Sequence, residues 1–157
     1  MKAFFQSAPL WLITLGVCAL LYAANLLLGN LNQDEGWYLY TAGLVAEGQL
    51  PFRDFAYTQG PIMAAVYAVA NPIIERFGVA GGRALTVCFA LCALFLSAAC
   101  AKRLAPSGWR TAATLLCVIL LGINVYHSYY TTVVKTYALY DHPHAGVLLF
   151  YSGGKLG

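Results

Sequence analysis

Apolar and polar positions divide this chain into long uncharged runs separated by one polar interval. Residues 9–29 (PLWLITLGVCALLYAANLLLG) and 84–101 (ALTVCFALCALFLSAACA) carry no charged side chain. A helix rises about 1.5 Å per residue and a bilayer core is about 30 Å thick, so roughly 20 such residues span it. Both runs predict membrane-crossing helices. A third predicted span, 111–130, follows Ser107-Gly108-Trp109-Arg110 and ends in Tyr126, Tyr129 and Tyr130, aromatic residues that favour the headgroup level. The first run reads as an uncleaved anchor. A signal peptide's apolar part is only ~7–15 residues long, and this run continues past Ala23-Ala24 through Leu26-Leu27-Leu28.

The segment 61–78 (PIMAAVYAVANPIIERFG) is apolar but is interrupted at Asn71-Pro72, and proline removes a backbone donor and kinks a helix. Charge placement decides how to read it. If it stays on the outer side, Lys2, Lys102, Arg103 and Arg110 share the cytoplasmic face, and Asp34, Glu35, Glu47, Asp54 and Glu75 lie outside. It is therefore read as an interfacial or re-entrant helix pair. Gly78 and Gly81-Gly82 are read as a turn before the second span. The expected fold is all-α, a polytopic transmembrane helical bundle with interfacial helices in its first extracytoplasmic loop, residues 30–83. The expected location is the inner (plasma) membrane, multi-pass, with the amino terminus in the cytoplasm.

Composition agrees. The 157 residues are 61% hydrophobic and 10% charged, mean hydropathy is +0.68, and soluble domains carry roughly 25% charged residues. The net charge of +3 comes with no basic run, which leaves no footprint for nucleic acid. Cys18, Cys88, Cys92, Cys100 and Cys117 all sit in apolar runs and read as small residues at helix contacts. Asp141, His142 and His144 make a poor metal site, because Pro143 splays them and a site needs about four ligands. His127 reads as an interfacial aromatic residue among tyrosines.

The chemistry concentrates in the interval NLNQDEGWYLYTAGLVAEGQLPFRDFAYTQGP, residues 30–61. Asp34-Glu35 opens a helical stretch whose Trp37, Tyr38, Leu44 and Val45 suit an amphipathic helix lying flat on a membrane. Asp34 is placed to cap that helix, and Gly48 to end it. Pro51 then begins an extended stretch holding Arg53, Asp54, Tyr57 and Gln59. Lys135 follows the third span on the outer side, where it either meets a lipid phosphate or snorkels to the headgroups.

In order and spacing, five pieces resemble the start of the GT-C class of membrane glycosyltransferases, the protein mannosyltransferase and aminoarabinose transferase superfamily. They are Asp34-Glu35-Gly36-Trp37-Tyr38, Gly48-Gln49-Leu50-Pro51-Phe52-Arg53-Asp54-Phe55, Gln59-Gly60-Pro61, Gly82-Arg83-Ala84-Leu85 and Ala101-Lys102-Arg103-Leu104. The likeness runs from about residue 9 to residue 139, and residues 140–157 form an atypical tail after it. The resemblance implies transfer of a sugar from a polyprenyl-phosphate carrier to a glycan, lipid or protein acceptor on the extracytoplasmic face, with inversion. It implies Asp34 as general base or orienting group, and Glu35 as its assistant or a ligand for a divalent metal. Arg53, Tyr57, Gln59 and Lys135 form the implied substrate-binding set, with Arg53 the nearest cation for the carrier phosphate. Several relatives carry a lysine before the Pro-rich turn, where this chain has Gln59-Gly60. The family also has many more spans, so the chain is expected to be too short to act alone, as a truncated or frameshifted product or a fragment. The competing expectation is a small non-catalytic integral membrane subunit.

Overall fold

The computed structural model describes residues 8–135. The expectations for Lys2, for the end of the likeness at residue 139 and the tail 140–157, and for Asp141, His142 and His144 lie outside the described residues. Within them the chain is helical: α1 (Ala8–Leu28), α2 (Gln33–Ala46), α3 (Pro61–Val69), α4 (Asn71–Phe77), α5 (Val79–Leu104), α6 (Arg110–Gly122) and α7 (Val125–Tyr130). An isolated bridge between Pro51 and Phe55 is the one element of extended pairing among these residues.

The helices α1 and α5, with 21 and 26 residues, are long and apolar enough to cross a membrane. They run antiparallel. Arg83, near the start of α5, reaches the carbonyls at the end of α1, while Cys18 and Ala98 pack together farther down. Leucines on α1 face outward, with Leu28 82% exposed. α5 begins earlier than the predicted span, and Gly81 and Gly82 lie inside it rather than in a turn. Their missing side chains permit close packing. A Cβ on Gly81 would lie 2.6 Å from the Ile73 carbonyl oxygen, and one on Gly82 would lie 2.6 Å from Leu39 Cδ2. The turn is made by Gly78 alone, at φ +59.

The third predicted span is not one helix. α6 has 13 residues, about 20 Å of rise, and the chain breaks at Ile123-Asn124. The Asn124 side chain accepts from the His127 N–H at 3.1 Å and starts α7 as its N-cap. An asparagine cap competes with helix continuation, as its short acceptor suits the first turn of a new helix. The segment 61–78 does form two short helices, hinged at Ala70 next to Asn71-Pro72.

A buried cluster joins α2 to α3, α4 and the 50–57 turn: Tyr38, Leu39, Ala42, Tyr57, Met63, Ala64, Tyr67 and Ile74. The buried stripe of α2 is therefore 35, 38, 39 and 42, one helical face. Trp37 is turned outward beside Tyr40, with ring centroids 6.4 Å apart. Tyr67 fastens α3 to α5 through a 2.6 Å hydrogen bond between its hydroxyl and that of Thr86. Burial pushes the Tyr67 phenol up to about 12, against the opposing effect of that bond.

Candidate functional site

The site grows from the start of α2. Its N-cap is Asn32, not Asp34. The Asn32 side chain accepts from the Asp34 N–H at 3.1 Å, and Glu35 Oε2 accepts from the Asn32 N–H at 2.9 Å, which makes a reciprocal capping box. This fixes the first turn and sends the two adjacent acids to different places. Glu35 is fully buried, whereas the Asp34 side chain is 52% exposed.

Glu35 meets Arg83, itself 3% exposed. Arg83 Nε donates to Glu35 Oε1 at 2.8 Å and Nη2 donates to Oε2 at 2.7 Å. The same guanidinium donates through Nη1 to the carbonyls of Asn25 (3.3 Å) and Gly29 (2.9 Å), and through Nη2 to that of Asn30 (2.8 Å). All five donors of the guanidinium are thereby used. Three of them close the carbonyl end of α1, where a cation also meets the negative pole of the helix dipole. Glu35 is equally saturated. Oε1 accepts from Arg83 and from the Val134 N–H at 3.1 Å, and Oε2 from Arg83 and Asn32. Burial pushes the Glu35 carboxyl up, but the Arg83, Asn32 and Val134 donors outweigh it, and the group is held below its ordinary value.

Glu35, expected to assist Asp34 or take a metal, has no lone-pair direction left for either task, and we assign it to holding this knot. Among the described residues there is no cluster of three or more potential metal ligands. Arg83, one residue before the uncharged run 84–101, is the group that ties α1, α2 and α5 together.

Asp34 lies above the knot. Lys135 Nζ is 3.0 Å from Asp34 Oδ2, and its side chain is 20% exposed. Two candidates 101 positions apart are thus brought together. The link is the Glu35–Val134 hydrogen bond, which holds the backbone one residue before Lys135. Ser128 adds a second tie, accepting from Asn25 Nδ2 at 3.2 Å.

The other candidates are elsewhere. Arg53 forms a two-pronged pair with Asp54, at 2.9 and 2.7 Å, on a solvent-facing turn. The Arg53 guanidinium, together with the Leu50 N–H that donates to Asp54 Oδ2, holds the Asp54 carboxyl down at about 2. Tyr57 is buried as a core residue between Phe52 and Phe55, with ring centroids at 6.0 and 6.1 Å. Its hydroxyl lies beside Thr41 without a hydrogen bond of full geometry, and burial pushes the phenol up. Gln59 is half-buried in the link to α3. The turn before it holds Phe52 at φ 68, a left-handed conformation that is rare for a bulky residue. No family model, no curated protein and no solved structure matches this chain.

Proposed function

We propose that this chain is an integral membrane protein of the GT-C glycosyltransferase kind, using Asp34 and Lys135 on a polyprenyl-phosphate-linked sugar at the extracytoplasmic face. The carrying observation is the 3.0 Å pair of a half-exposed carboxylate and an ammonium at the end of two long apolar helices. Asp34 takes the proton of an acceptor hydroxyl. The hydroxyl oxygen then forms its bond to the anomeric carbon, and the bond from that carbon to the carrier phosphate breaks. The negative charge that leaves with the phosphate is met by Lys135. A base must lie within about 3 Å of the proton it removes, and the capped first turn of α2 supplies a rigid mount for it. The resemblance in motif order supports the same reading.

The reading includes a polytopic bundle, with α1 and α5 crossing the bilayer and α3–α4 on its outer surface. A second reading, a small non-catalytic membrane subunit, draws on the saturation of Glu35 and Arg83, whose contacts are all internal to the chain.

The test uses membranes carrying the chain and a polyprenyl-phosphate donor labelled in its sugar. Asp34→Asn should lower transfer by about 10²-fold or more with the fold retained, and Lys135→Gln should weaken retention of the polyprenyl phosphate. Wild-type transfer by Asp34→Asn would remove this residue from the mechanism. A chain that neither transfers the sugar nor retains the carrier would favour the subunit.

A further inference from the structure

The opposite end of the helices carries a second feature. A cleft of about 420 Å³ opens between α1, α5 and α6, lined by Trp11 and Leu15, by Leu91, Phe95 and Lys102, and by Thr114 among others. Its walls are apolar over the length of α5 from Leu91 to Ala99, and one charged side chain, Lys102, stands at its end. The α5 lining residues fall at spacings of three and four, so a single helix face leads from apolar wall to ammonium. Arg110 precedes Thr114 by one turn on α6, and the Thr114 hydroxyl donates to its carbonyl at 2.8 Å. Arg103 adjoins Lys102 in the last turn of α5. None of the described residues that line the cleft is acidic, and Lys102 is the charged one among them. Trp11 lies at the same end, an amphipathic ring of the kind that sits at headgroup level.

We infer that this cleft binds one anionic phospholipid, with an acyl chain along Leu15, Leu91 and Phe95 and the headgroup phosphate on Lys102 and Arg110. A long apolar slot fits a chain. A cationic end with no carboxylate among its described lining residues fits a net-negative headgroup rather than a zwitterionic one, and basic pockets between membrane helices take anionic headgroups on this principle. The inference rests on the membrane placement proposed above and is independent of sugar transfer.

The test is native mass spectrometry of the whole chain in mild detergent, supplied with equal phosphatidylglycerol and phosphatidylethanolamine. Phosphatidylglycerol should be retained preferentially, and soluble glycerol phosphate should not displace it. Lys102→Gln and Arg110→Gln should each lower the preference about fivefold, the gain expected per cation. Ala99→Trp, which fills the slot, should abolish it with the charges intact, while Arg76→Gln in α4 should leave it unchanged. Equal retention of the two lipids would overturn the inference, as would unaltered preference in the Lys102→Gln and Ala99→Trp variants. Lipid-free dimers closed through this face would overturn it in favour of a second copy as occupant. A chain that does not enter membranes at all would instead remove the membrane reading on which both proposals depend.

Discussion

The Glu35–Arg83 knot permits a quantitative test by substitution. Glu35→Gln keeps the shape but removes the charge, and turns an NH₂ group toward donors on Arg83 and either Asn32 or Val134. Removing one partner of a buried ion pair costs about 3–5 kcal/mol, because the other charge stays buried alone. Arg83→Met should cost as much, since it also leaves the Asn25, Gly29 and Asn30 carbonyls without this donor. In many proteins an apolar replacement of both partners recovers the loss. Here it should recover only part. Glu35→Leu with Arg83→Met still strands the Gly29 and Asn30 carbonyls and the N–H groups of Asn32 and Val134 (the Asn25 carbonyl keeps the Gly29 N–H), each worth about 1–3 kcal/mol if buried unsatisfied. The assay is a double-mutant cycle from reversible unfolding in detergent micelles. The pH dependence follows from the lowered Glu35 value. Its contribution is complete above the ordinary carboxylate value of 4.5 and is lost as pH falls through the lower folded value. A Glu35→Gln variant within about 0.5 kcal/mol of the parent, the range of ordinary surface changes, would refute the reasoning.

Two other outcomes are expected. Gly81→Ala should destabilise by about 1–3 kcal/mol, the usual cost of overpacking, because the atom its Cβ meets at 2.6 Å is the Ile73 backbone oxygen and cannot rotate away. Gly82→Ala, whose nearest neighbour is the Leu39 side chain, should cost less in the same unfolding measurement. In a cysteine-free background, an impermeant thiol reagent added from outside should label a cysteine at position 34 and spare one at 103. Labelling of both from one side would sink the orientation proposed for α1 and α5.

Local signals in the chain foretell local structure here. The two long helices follow from uncharged runs, the hinge at Ala70 from the adjacent Asn71-Pro72, and the end of α2 from Gly48, which takes φ +90. Periodicity places α2, but its buried stripe includes Glu35 and is set by tertiary packing rather than by apolar character alone. The break at Asn124 has a readable cue, an asparagine two residues after Gly122, hidden by the apolar residues on both sides. The site was half legible. Asp34 and Lys135 were each singled out, but nothing short of the tertiary fold joins them. The Glu35–Arg83 pair was wholly illegible, since 48 residues separate the partners, and a charge beside an apolar run reads as a boundary when its partner is out of view.

The knot also has a history within synthesis. Its members lie as far apart as Glu35 and Val134, 99 positions. Once synthesis reaches Arg83, its carboxylate partner and the carbonyls of α1 already lie behind it in the chain. The Val134 amide is still unmade. The arrangement around Asp34 can therefore close only after the segment bearing Val134 and Lys135 has been made.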